Sequence, residues 1–199
     1  GTPHSGVYDP AVDGPGVYTY TLTGTPPCVS DQAVVTVTEN ATPWAGTDGA
    51  LDICSDAATV ALFGMLGGTP DAGGTWTTPG GGAFGGTFDP AIDAPGPYVY
   101  TVNGIAPCGS DQSVVLVTIH AAPNAGVAGP LALCGDSPPT PLFSLLVGAD
   151  AGGTWTTPGG GAFNGSYDPA TDGPGDFTYT VQGAPACGSD QAIVTVSED

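Results

Sequence analysis

Residues 72–84 read AGGTWTTPGGGAF, and the same stretch returns unchanged at 151–163. A little further on, each copy meets a second recurring segment, FDPAIDAPGPYVYTV at 88–102 and YDPATDGPGDFTYTV at 167–181. A third version, YDPAVDGPGVYTYTL, occupies 8–22. These segments end in alternation. Tyr98, Tyr100 and Val102 fall on one side of an extended chain, and Val99, Thr101 and Asn103 on the other, which is the pattern of a half-buried strand. What precedes the alternation, Asp-Pro-Ala-x-Asp and then Pro-Gly, is turn chemistry: Asp accepts nearby backbone N–H groups and Pro presets φ.

The same vocabulary continues outward. Strands are predicted at 59–66, 73–78, 84–88, 98–103 and 112–119, separated by DAGG, TPGGG, DPAIDAPG and NGIAPCGSD. No window carries a persuasive helical period. Short strands with turns every 8–12 residues give a β-sandwich or barrel. Asp9, Asp89 and Asp168 lie 80 and 79 residues apart, as do Cys28, Cys108 and Cys187, while Cys54 and Cys134 are 80 apart. The period predicts a half-repeat at 1–40 and complete repeats at 41–120 and 121–199. About 80 residues is too long for a solenoid coil and suits one small sandwich.

Composition limits what such a chain can do. Of 199 residues none is Lys or Arg, 19 are acidic and two are His, giving a net charge of −19. No cation is present to hold nucleic-acid phosphates or an anionic membrane. No Lys can form a Schiff base or serve a phosphate loop. Hydrophobic residues make up 40%, more than a disordered acidic chain carries. No stretch approaches the ~18 apolar residues of a membrane span. A start at Gly1 reads as a mature or excised piece of something longer.

The central Trp, the D-x-P-G-x-Y-x-Y corner (Asp93 to Tyr100) and the valine-rich final strand resemble an immunoglobulin-like module, akin to the polycystic-kidney-disease-like repeats of bacterial adhesins. The fuller pattern C-x-D…LFxxL…AGGTW…FDPAxDxPGxYxYTVxGxxPCxSDxxVxVT resembles tandem repeats of very large surface proteins of Bacteroidota. That resemblance implies an all-β chain of tandem immunoglobulin-like sandwiches, exported by type IX secretion and acting outside the cell as an adhesin or attachment filament. Its partners would be other copies of the same chain or another cell surface.

Five cysteines, two per whole repeat and one in the half-repeat, point to disulfides and an oxidising compartment. Pairing Cys54 with Cys108 and Cys134 with Cys187 would close each repeat on itself, leaving Cys28 for a residue upstream. Each bridge would then be worth on the order of 4 kcal/mol. The alternative pairs Cys28 with Cys54 and Cys108 with Cys134. A zinc site is disfavoured, because the chain has no C-x-x-C pair and its histidines do not recur.

Catalysis finds little support. His4 and His120 belong to no repeated constellation, and the acidic pairs recur in every repeat rather than in one cleft. Thirteen of the 17 Asp recur at fixed repeat positions. The structural reading makes Asp9, Asp13, Asp89, Asp93, Asp168 and Asp172 turn-formers. The functional reading makes the same six weak Ca²⁺ ligands, the one cofactor to consider in a chain otherwise expected to have none. Trp76, Trp155, Tyr20, Tyr100 and Tyr179 are expected in the core. Exposed tryptophans would instead suit a carbohydrate-binding module of a secreted polysaccharide-degrading enzyme.

Overall fold

The computed structural model describes residues 4–199. The half-repeat forms one hairpin, β1 (Gly16–Leu22) with β2 (Asp31–Val37). Residues 41–120 form β3 (Gly49–Cys54), β4 (Val60–Ala61), β5 (Thr75–Thr77), β6 (Ala83–Phe84), β7 (Thr87–Phe88), β8 (Gly96–Asn103) and β9 (Ser110–His120). Residues 121–199 form β10 (Val127–Ala128), β11 (Leu131–Leu133), β12 (Thr140–Pro141), β13 (Leu146–Val147), β14 (Thr154–Thr156), β15 (Ala162–Phe163), β16 (Ser166–Tyr167), β17 (Gly175–Gln182) and β18 (Ser189–Glu198).

Each complete repeat has one five-stranded sheet, β3-β9-β8-β5-β6 or β11-β18-β17-β14-β15, faced by small two-stranded pieces, β4–β7 or β12–β16 and β10–β13. The long hairpins β8–β9 and β17–β18 dominate because alternation makes one face apolar. Tyr98, Tyr100, Val102, Val115 and Val117 point inward, as do Phe177, Tyr179, Val181, Val194 and Val196. The first strand of each sheet pairs with the last in parallel, Cys54 opposite His120 and Leu133 opposite Glu198. This strand has no counterpart among the sequence-based expectations. GALDIC alternates poorly, and its place is set by a distant parallel partner.

Two predicted strands take other forms. The apolar run at 59–66 is a two-residue strand followed by a 3₁₀ turn, Leu62–Met65, which drops Leu62 into the core. The 84–88 stretch splits into β6 and β7, which lie in different layers. The crossing is made at Gly86, at φ +84°, where a Cβ would lie 3.0 Å from the Trp76 ring. Gly165 repeats this at φ +85° against Trp155. Only glycine combines that backbone with that approach.

The two cores are separate clusters, one from Ala45 to Val117 and one from Ala125 to Val196. Among the described residues no helix is long and apolar enough to cross a membrane.

Candidate functional site

The place where the two complete modules meet carries the chemistry that distinguishes this chain. Because β3 and β9 run parallel, their ends lie side by side with Cys54 next to His120. The following module presents its β17–β18 turn to that end. The turn is closed by the Gly183 N–H donating to the Gly188 carbonyl (2.7 Å) and the Cys187 N–H donating to that of Ala184 (2.7 Å). Linker residue Pro123 presses on Gly183, where a Cβ would meet it at 3.0 Å and the Cys187 Cβ at 2.8 Å. The turn therefore aims Cys187 back at the preceding module. Cys187 is bonded to Cys54, with Cα atoms 4.9 Å apart, and its sulfur lies 3.5 Å from the His120 carbonyl oxygen. Hydrogen bonds flank the bridge. The Ser55 N–H donates to the His120 carbonyl (2.8 Å), the Ala122 N–H donates to Ser55 Oγ (3.0 Å), and His120 Nε2 sits 2.9 Å from Asp52 Oδ1.

This connectivity corrects the expected pairs. Cys54–Cys108 and Cys134–Cys187 do not form, nor do Cys28–Cys54 and Cys108–Cys134; Cys28, Cys108 and Cys134 are free thiols. Topology gives the reason. Within one module the two cysteines sit at opposite ends of the last strand, Cys54 beside His120 and Cys108 just before Ser110. Ten strand steps span about 34 Å, whereas bridged Cα atoms lie within about 7 Å. The bond that spacing assigned within a module runs between modules.

The recurring aspartates hold backbone. In each DPAxD turn the second Asp accepts from the backbone N–H of the first, Asp13 from Asp9, Asp93 from Asp89 and Asp172 from Asp168, all at 2.8 Å. The first Asp accepts from the residue two on, at 2.9–3.0 Å. The Asp9 N–H, and after it the His4 ring, hold the Asp13 carboxyl below the usual carboxylate range. Asp111 and Asp190 accept from the linker N–H groups of Ala45 and Ala125 (2.8 Å). Asp71 and Asp150 accept from Trp44 and Asn124 (2.9 Å). Among the described residues no group of three or more His, Cys, Asp or Glu side chains is arranged to hold a metal ion. The six Ca²⁺ candidates are thus placed as turn locks.

Trp76 and Trp155 are each only 8% exposed, their rings 5.0 Å from those of Tyr100 and Tyr179. Neither offers a face to a sugar ring. The hydroxyls of Tyr100 and Tyr179 donate to the Asp71 and Asp150 carbonyls (2.7 and 2.8 Å) and accept from Gly74 and Gly153. Tyr20, expected in the core, is 69% exposed, because residues 4–40 contain no strands to cover it. His4 is occupied on both nitrogens, by Asp13 (3.1 Å) and the Gly6 N–H (3.1 Å). Neither imidazole bonds a serine or cysteine among the described residues, so the pairing that activates a nucleophile is not assembled.

Taken together, the folded units define a tandem of immunoglobulin-like β-sandwich modules. Among solved structures the chain is similar to a three-immunoglobulin-domain stretch of titin in a Glu-to-Ala variant. The TM-score is 0.52 at 11% identity, over 93% of this chain and 75% of that one. At this identity the likeness is one of fold. No family model matches the chain, and no curated protein matches its sequence.

Proposed function

We propose that the chain is a load-bearing segment of a long extracellular adhesin or attachment filament, of the type Bacteroidota export by type IX secretion, with no catalytic role. The observation that carries this reading is the disulfide joining consecutive modules. A bridge of that kind contributes little to either core and much to the tensile continuity of the row. Disulfides persist outside the cytosol, which supports an extracellular site. Net charge of −19 keeps such a chain soluble. Its partners are other copies of itself in a filament or another cell surface.

Pulling the chain from its two ends tests the mechanical role. The bridge skips 133 residues, so oxidised chain should extend only through the segments outside 54–187. A reductant should release about 45 nm more contour, at roughly 3.4 Å per residue. Equal extension in both states would remove the load-bearing reading. Beads coated with the chain should cluster or bind cells in saline; beads that do neither would remove the adhesive one.

A further inference from the structure

We infer that Cys108 and Cys134 are the two open halves of the same inter-module bridge, each built to take a cysteine from a further module of this repeat type. The inference concerns how modules join, and it stands whether or not the row adheres to anything.

Cys108 repeats the setting of Cys187. Its turn is closed by the Gly104 N–H donating to the Gly109 carbonyl (2.8 Å) and the Cys108 N–H donating to that of Ile105 (2.9 Å). A Cβ on Gly104 would meet linker residue Pro43 at 3.0 Å, as one on Gly183 would meet Pro123. The Cys108 thiol donates to the Asn40 carbonyl (3.5 Å), and Asn40 is the repeat equivalent of His120, whose carbonyl lies equally far from the Cys187 sulfur. The Asn40 side-chain amide adds a bond to the Ala106 carbonyl (3.0 Å) across the same junction. The residue that sits opposite His120 is Cys54. The corresponding place opposite Asn40 belongs to a strand that would pair with the open edge of β2. A Cys54-type residue there would meet the Cys108 thiol as Cys54 meets Cys187.

Cys134 is the other half. It is the repeat equivalent of Cys54 and follows β11 at the end of the parallel pair. Cys54 is buried, 3% exposed, under the turn that carries Cys187; Cys134, with no turn over it, is exposed. Cys28 is the turn cysteine of residues 4–40 and continues the series.

Each closure joins two thiols with loss of two protons and two electrons. A low-molecular-weight disulfide such as oxidised glutathione takes the electrons by exchange and leaves as two thiols. Every junction would then be spanned twice, once by the linker and once by sulfur.

Two extended chains test this after folding in a glutathione buffer, with non-reducing peptide mapping by an Asp-specific protease, since trypsin has no site. In the first, a second copy of residues 121–199 follows residue 199, with its own first cysteine changed to Ser and Thr178→Ser in the copy alone, so that the peptide bearing its second cysteine differs in mass from that of Cys187. Cys134 should appear linked to the second cysteine of the added module; Cys134 left free, or linked to Cys187, overturns the inference. In the second, a copy of residues 41–80 carrying Ile53→Val, which sets its cysteine peptide apart in mass from that of Cys54, precedes residue 1. Its cysteine should be linked to Cys108; linkage to Cys28, or a free thiol, overturns it. The Cys54–Cys187 peptide in both chains reports that the original modules have folded.

Discussion

Residues 16–40 and 96–120 hold the same hairpin twice, in one case uncovered and in the other covered. The register matches: Tyr18 faces Val35 and Tyr20 faces Ala33, as Tyr98 faces Val115 and Tyr100 faces Ser113. The preceding DPAxD turn is bonded identically in both. Yet Tyr20 and Val35 are 69% and 61% exposed, against 2% and 0% for Tyr100 and Val115. Local chemistry, meaning alternation, turn aspartates and a tight glycine turn, suffices to define the hairpin. Burial is supplied by the segment that carries β3 to β6.

The largest test of that contrast is a matched pair of truncations. Tyr100→Ala removes a buried ring and both hydroxyl bonds that tie the Asp71 loop. It should lower the stability of its module by about 3–5 kcal/mol in urea unfolding of the full chain. Tyr20→Ala should change stability by less than about 0.5 kcal/mol. Equal costs would mean that the hairpin of residues 4–40 is covered in solution, as it would be in an intertwined assembly.

A middle-sized effect belongs to what the two regions share. Asp93→Ala and Asp172→Ala each remove the acceptor that locks a turn, and each should cost about 1 kcal/mol. Because these carboxylates bind backbone N–H groups, adding a chelator should leave the wild-type melting temperature unchanged. A drop on chelation would return Ca²⁺ to the account.

How much of this was legible in the sequence follows the same line between local and distant. Alternation in YVYTV and the valine-rich strand after it located the long hairpin, and the repetition of the Asp positions pointed to turns. Trp76, Trp155, Tyr100 and Tyr179 lie inside because their strands are covered. Tyr20, in an identical local pattern, lies outside because its cover is a separate segment, which no local pattern reports. The strand GALDIC escaped notice for a related reason: its pairing partner is more than sixty residues away and parallel. The cysteines misled through periodicity itself. In a repeat, Cys54 stands in register with the second cysteine of its own module and with that of the next. Only the length of the last strand, which separates the two cysteines of one module, decides between them.

The smallest effect separates the modules by one exchanged pair. Tyr8 and Tyr167 donate hydrogen bonds to Glu39 and Glu198; at the same positions the middle module has Phe88 and Ile119. Both polar partners are replaced together, so no acceptor is left stranded, and such a double exchange costs little. It does change the response to pH. Burial first, then the hydrogen bond and charge of Glu198, push the Tyr167 hydroxyl up to about 12. Its stabilising contribution is therefore complete below about pH 10, where an unfolded tyrosine begins to ionise. That contribution falls as pH rises towards 12, because over that interval the folded state holds the proton more tightly. Thermal unfolding of residues 121–199, followed by Trp155 fluorescence in a Trp44→Phe, Trp76→Phe background, should weaken between pH 10 and 11.5. In the Tyr167→Phe, Glu198→Ile variant, which installs the middle module's pair, that alkaline loss should shrink. An unchanged pH slope would show that the pair carries no linked proton and that the exchange is one of packing alone.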